Sequence, residues 1–282
     1  MADSGDGTYT LRYKLRVTSG AEYHLSVFVN GGLLGGTALP VRAIAGPMVC
    51  DETISIEAPR CVAGAVAEAP IFAKDRQGNQ RSSGGDAFTA SLELLSSPHT
   101  NETVRVGDNG DGTYRAMWVV TRAARYRLWV AGACGPIKGS PYDVECLPAA
   151  LSVTHSQLRG VGSTDAAAGA ATRFELEARD VFDNPLRRGA FQWAAALSSP
   201  STVVPVRQLT CPTTGCGATY FFEYNTTRAG SYELLVGAPG ADGTVNGSLQ
   251  VQNTPAAVTV RAGPLSGPAS KVFGPTAADA AD

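Results

Sequence analysis

One passage of this chain is written three times. "GDNGDGTYRAMWVVTRAARYRLWV", Gly107 to Val130, has near-copies in "SGDGTYTLRYKLRVTSGAEYHLSVFV", Ser4 to Val29, and in "CGATYFFEYNTTRAGSYELLV", Cys216 to Val236. The copies align on a tyrosine that follows a threonine, Tyr9, Tyr114 and Tyr220, at separations of 105 and 106 residues. A second set, Tyr23, Tyr126 and Tyr232, comes 14, 12 and 12 residues later. A period this long, with matching internal spacing, marks whole domains in tandem, since solenoid units repeat every ~20–50 residues.

About 105 residues suits one immunoglobulin-like two-sheet sandwich. Alternation supports strands in each copy: Tyr114, Ala116 and Trp118 share a face, as do Tyr126, Leu128 and Val130, with Arg125, Arg127 and Trp129 opposite. "GDNGDG" supplies Asn-Gly and Asp-Gly, which tolerate positive φ and so reverse one strand into the next. It is a poor calcium loop, because counting from Asp108 puts Gly110 and Val119 where oxygen ligands are required. Composition agrees with an all-β class: 32 Gly and 17 Pro, and no long amphipathic run of Leu, Glu and Lys. Lys and Arg total 23 against 25 Asp and Glu, without a run of five like charges, so nothing draws this chain electrostatically to nucleic acid or an anionic membrane. Residues 1–20 lack a continuous apolar core, and no apolar stretch approaches the roughly 18 residues that a membrane span needs.

"DNGDGTY", the later tyrosine opening a strand, and "GPIKGSPYDVEC" at Gly135 to Cys146 together resemble the second half of a filamin-type (ABP280) repeat. "FAKDRQGNQRSSGGDAFTASL", Phe72 to Leu92, resembles that family's Asp-x-x-Gly-Asn segment, and "LEARDVFDNPLRRGAF", Leu176 to Phe191, follows it with Asp183 where Gly78 stood. The resemblance and the alternation together place strand A near 49–57, B at 67–75, C at 86–94, D at 102–107, E at 113–120, F at 125–131 and G at 140–146. The expected organisation is tandem immunoglobulin-like sandwiches: strands E to G of one repeat over 1–46, whole repeats over 47–148 and 149–252, and over 253–282 the start of a further repeat or a disordered tail. On that reading the chain is a piece of a longer array, and residues 1–46 form a half sandwich with an open sheet face.

The three histidines, His24, His99 and His155, are scattered, and no nucleophile elbow, zinc helix motif or phosphate-cradling glycine loop occurs, so the expectation is a non-enzyme needing no cofactor or metal. The six cysteines include no Cys-x-x-Cys pair. In a seven-stranded sandwich the start of A and the F–G loop lie at one end, and the A–B loop and the end of G at the other. That favours Cys50 with Cys134 and Cys61 with Cys146, while Cys211 and Cys216 flank the D–E turn of the next repeat. Free buried thiols acting as small apolar side chains are the alternative. Three Asn-x-Ser/Thr triplets start at Asn101, Asn225 and Asn246, each in an expected surface connection. Paired cysteines and sequons both point to an oxidising exterior.

The resemblance also implies a binding surface, because filamin repeats take up partner peptides as a strand added beside strand C, towards D. Here that strip would be Asp86 to Leu94 with Glu102 to Val106, carrying Phe88, Ala90, Leu92 and Val104. In the next repeat it would be Phe191 to Leu197 with Val203 to Gln208, carrying Trp193 and Val204. Pro205 fits an edge strand. Ordinary core packing is the competing role for these side chains. Trp129, on the face opposite Tyr126 and Leu128, is a candidate contact residue. Two functions compete. One is an extracellular or cell-surface adhesion or protein-binding array, similar to the gamete-expressed adhesion proteins of plants and green algae that carry such repeats. The other is a cytoplasmic filamin-like scaffold, joined to actin through parts this chain lacks. Partners are other proteins and neighbouring modules, with no nucleic acid and no membrane span.

Overall fold

The computed structural model describes residues 1–16, 22–36, 38–55, 60–96, 100–211 and 217–264. These are strands and turns with one short 3-10 turn at Val161–Ser163, and they fall into two units, Met1–Leu147 and Pro148–Asp282. Short pairs fill the first 46 residues. β1 (Ala2–Asp3) lies against β2 (Tyr9–Thr10); then β3 (Tyr23–Leu25), β4 (Phe28–Val29), β5 (Gly32–Leu33) and β6 (Leu39–Val41) nest so that β3 pairs with β6 and β4 with β5. Lacking a second sheet among the described residues, they leave apolar side chains wet: Tyr9 is 60% exposed where Tyr114, one period later, is 1%.

The first sandwich is built from β7 (Ile54–Ser55), β8 (Cys61–Val62), β9 (Val66–Phe72), β10 (Phe88–Leu94), β11 (Asn101–Thr103), β12 (Arg105–Asp108), β13 (Thr113–Val119), β14 (Arg125–Gly132), β15 (Gly135–Pro136) and β16 (Tyr142–Leu147). One sheet runs β12-β13-β9-β7 and the other β11-β10-β14-β16-β8, with β15 beside β14. Every second residue turns inward, so Ala69 and Ile71, Leu92 and Leu94, Tyr114 and Trp118, and Leu128 and Val130 fill one core. Strand D divides: β11 pairs with β10 in one sheet and β12 with β13 in the other, with Val104 buried at the crossing. Cys61 lies on β8, which runs parallel to β16.

The second sandwich comprises β17 (Leu151–Arg159), β18 (Asp165–Ala167), β19 (Ala171–Asp180), β20 (Ala194–Ser199), β21 (Thr202–Leu209), β22 (Thr219–Asn225), β23 (Gly230–Pro239), β24 (Val245–Gln250) and β25 (Ala256–Arg261). Its path is β17-β19-β22-β21-β20-β23-β25-β18, with β24 beside β23. A boundary at 252 is therefore wrong. Ala256–Arg261 pairs antiparallel with Gly230–Leu234 and is this sandwich's last strand, not the opening strand of another. The displacement comes from an inserted arm: one period after β16 the chain reaches β24, which an Asp-Gly-Thr turn folds back. Thr244 donates to Asp242 Oδ1 from its backbone N–H at 3.0 Å and its hydroxyl at 2.6 Å. "NTPAAV" at Asn253 to Val258 thus stands where "GSPYDV" stands at Gly139 to Val144, and both Ser140–Pro141 and Thr254–Pro255 are cis.

The repeated residues pin loops to sheets. Tyr114 Oη accepts from the Asp86 N–H at 2.9 Å and donates to Asp86 Oδ2 at 3.1 Å, and Tyr220 Oη accepts from Phe191 N–H at 3.0 Å. The second tyrosines make a tyrosine corner, Tyr126 donating to Arg122 O at 2.8 Å and Tyr232 to Arg228 O at 3.0 Å. Tyr224 donates to Gly162 O at 2.7 Å, and burial pushes its pKa up to about 12. The Asp-x-x-Gly-Asn turn closes alike in both copies. Asp75 accepts from the N–H groups of Gln77, Asn79 and Gly46, and Asp180 from those of Phe182, Asn184 and Ala149. Burial opposes the charge on each carboxylate, but these bonds and those from Asn79 and Asn184 side chains outweigh it and hold both below the usual carboxylate range. Asp183 takes φ 63° where Gly78 takes 79°, so the non-glycine residue occupies the same left-handed turn.

Candidate functional site

A disulfide lies at each end of the first sandwich. Cys50 bonds Cys134, with Cα atoms 5.9 Å apart and a sequence separation of 84; Cys61 bonds Cys146, at 4.3 Å and a separation of 85. The loop bearing Cys134 is also held by the Lys138 N–H, which reaches Cys50 O at 3.0 Å and Thr53 O at 3.1 Å. Cys61 opposes Cys146 in the parallel pairing of β8 and β16; in the second sandwich the same register pairs Ala166 with Val260. Cys211 is disulfide-bonded. Cys216, its expected partner, lies outside the described residues.

The strip proposed for peptide uptake is mostly core. Leu92, Val104, Trp193 and Val204 are buried, and Phe88 and Ala90 pack against that core, the Phe88 ring 4.6 Å from Tyr114's. Alternation assigned these side chains a face but not which face was covered. In the second sandwich β21 pairs with β20 over Ser199–Ala196 and then crosses to β22, so strand C has a neighbour there. Pro205 opposes Ala196 at that crossing rather than lying on a free edge, and its missing N–H suits a residue between two sheets. In the first sandwich β11 covers only Ser91–Glu93, and Phe88–Ala90 has no strand on that side among the described residues.

The outer face of β10 and β14 carries the exposed chemistry. Trp129, 41% exposed, opposes Ser91, and its Nε1–H donates to Glu93 Oε2 at 3.0 Å. A hollow of about 220 Å³, bordered by Thr89, Ser91, Trp129, Ala131 and Pro136, lies beside it. Arg127, opposite Glu93, stands 3.9 Å from Asp143, an exposed pair that contributes little. Asn101 and Asn225 are exposed, and Asn246 is half-buried with Oδ1 accepting from Ser248 N–H and Oγ at 3.0 and 2.8 Å. Glu93 was not singled out from the sequence, because its role depends on strand register. Among the described residues no group of His, Cys, Asp and Glu is placed to hold a metal ion, and no helix is long and apolar enough to cross a membrane.

Geometry and disulfides define tandem immunoglobulin-like sandwiches. Residues 45–143 match the Filamin/ABP280 repeat, which makes the first sandwich a filamin-type module. A 109-residue stretch, 36% of the chain, is 36% identical to the flagellar outer arm dynein alpha chain of Chlamydomonas reinhardtii, of whose length the match spans 2%. Among solved structures, the Escherichia coli adhesin FdeC superposes with a TM-score of 0.50 at 19% identity, over 85% of this chain and 74% of that one. The bacterial integrin-binding protein invasin gives 0.48 at 12%, over 84% and 45%. Identities this low speak for fold alone.

Proposed function

We propose that this chain is part of a non-catalytic extracellular or cell-surface array that binds other proteins. The carrying observation is the pair of disulfides in the first sandwich, each joining cysteines more than 80 residues apart. Such bonds persist where thiols are oxidised and are rare in the cytosol. Exposed Asn101 and Asn225 agree with passage through a glycosylating compartment. Partner strands that add to strand C have Phe88–Ala90 of the first sandwich to pair with. The likeness to FdeC, named an adhesin, fits this reading through fold only.

The test is secretion of the chain from a eukaryotic host, followed by intact mass with and without glycosidase. Loss of two hydrogens per cysteine pair and a glycosidase shift support the proposal; free thiols on unmodified protein refute it. A second reading, a cytoplasmic module of a cytoskeletal scaffold, is favoured by the similarity to a flagellar dynein chain. It requires reduced cysteines in protein taken from its own cells.

A further inference from the structure

Asn101 and Trp129 stand on one surface. β10 sets Ser91 opposite Thr103 and Glu93 opposite Asn101 on one side, and Ser91 opposite Trp129 and Glu93 opposite Arg127 on the other. Directly opposed residues share a face. The intervening Leu92 and Leu128 go into the core, so Asn101, Thr103, Ser91, Glu93, Arg127 and Trp129 all face outward. Two strand spacings and two residue rises separate the Asn101 and Trp129 backbones by about 12 Å. The bond from Trp129 Nε1 to Glu93 Oε2 leans the indole towards the residue that opposes Asn101.

We propose that Asn101 carries an N-linked glycan whose innermost sugars lie across the indole of Trp129. The proposal rests on the extracellular reading. Attachment forms a bond from Asn101 Nδ2 to the anomeric carbon of an oligosaccharide donated by a polyprenyl pyrophosphate. The sugar–oxygen bond breaks, the pyrophosphate lipid leaves, and the amide gives up one proton. The chemistry of the surface suits this occupant. The indole N–H is already satisfied, so what Trp129 offers is an apolar ring face, and the C–H face of a pyranose matches it. Around it Ser91, Thr103, Glu93 and Arg127 supply partners for hydroxyl and acetamido groups.

The two sandwiches provide an internal control. In the second, Val203 occupies the Asn101 position opposite Ser198, and Leu235 occupies the Trp129 position opposite Ala196. At these two positions sequon and indole occur together in the first copy, and neither occurs in the second. The other sequons, Asn225 and Asn246, belong to the second sandwich, whose own tryptophan, Trp193, is buried.

The experiment secretes the full chain from a glycosylating eukaryotic host as wild type, N101Q, T103A and W129A. Occupancy of Asn101 is read by peptide mass spectrometry, and exposure of tryptophan by acrylamide quenching of fluorescence. With Trp118 and Trp193 buried, the quenchable fraction reports on Trp129. Wild type is expected to lose most of that fraction relative to N101Q and to T103A, which keeps Asn101 but not the sequon. Trimming the glycan should lower the melting temperature of wild type and leave W129A unmoved. Equal quenching in wild type with Asn101 occupied, or an unoccupied Asn101 in chains whose other sequons are filled, overturns the inference while leaving the extracellular reading intact. Free cysteines on wholly unglycosylated protein sink that reading, and this inference with it.

Discussion

Stretched between its ends, the first sandwich should barely lengthen on unfolding unless both of its disulfides are removed. Cys50–Cys134 and Cys61–Cys146 interleave along the chain, so tension entering before Cys50 and leaving after Cys146 crosses the module by short routes only. With both bonds present, the taut path holds about 15 residues and spans about 50 Å at full extension. Removing either one alone leaves a path of nearly the same length, because the survivor still bypasses more than 80 residues. Removing both frees about 100 residues, or about 350 Å. The second sandwich, with no bond joining its ends among the described residues, should release on the order of 400 Å.

The substitutions follow from the structure. C61A with C146V installs the Ala166–Val260 pair that the second sandwich places in the same register, and C50A with C134S removes the other bond. By loop closure Cys61–Cys146 contributes about 4.5 kcal/mol, and Cys50–Cys134, added to a chain already cross-linked, about 3.5 kcal/mol. Optical-trap or force-microscope extension of the whole chain in non-reducing buffer should therefore give one long step for wild type and for each paired variant. Only the quadruple variant should give two. Two long steps from wild type, or a long second step from either paired variant, would refute this cross-linked path.

Other consequences are testable in the same chain. Tyr126→Phe and Tyr232→Phe should each lower stability by about 1 kcal/mol in urea titrations, through loss of the bond to the carbonyl four residues back; an unchanged midpoint would mean that these corners hold nothing. Asp180 sits below its ordinary pKa, so its stabilisation is complete above that value and is lost as pH falls through the lower folded value. Asp180→Asn should be less stable at neutral pH and show a flatter loss from about pH 4 downward. Gly112→Ala should destabilise the first sandwich by more than about 2 kcal/mol, visible as a lower melting temperature. Its new Cβ would stand 2.1 Å from Arg81 O on a residue held at φ 82°.

The repeat was legible because its tyrosines act locally. Tyr126 and Tyr232 bond four residues back, and Asp75 and Asp180 close turns of five residues, so their spacing survives whatever happens elsewhere. The disulfide pairs could be anticipated because strand order alone decides which end of a sandwich each cysteine occupies. Strand register was not legible. The inserted arm at β24 pushed the last strand of the second sandwich past a boundary drawn by periodicity. The crossing at Val104 needed knowledge of both sheets, since no local pattern announces where a strand changes partners. Trp129 was recognisable as facing away from Leu128, but its bond to Glu93 exists only because Ser91 lies opposite it.

Carrying two complete copies of one scaffold separates what holds the fold from what is added to it. Both copies keep the Asp–Asn turn, the strand-E tyrosine and the tyrosine corner, and Asp183 shows that even a glycine position tolerates replacement when the turn is kept. Ala166 opposite Val260 closes the second sandwich where the first uses Cys61 and Cys146, so this fold does not require a covalent bond at that register. Leu235 and Val203 likewise stand where the first copy has Trp129 and Asn101. The additions differ between the copies, two disulfides and Trp129 in the first sandwich and the β24 arm in the second, while the tyrosines and aspartate turns that pin loops to sheets are common to both.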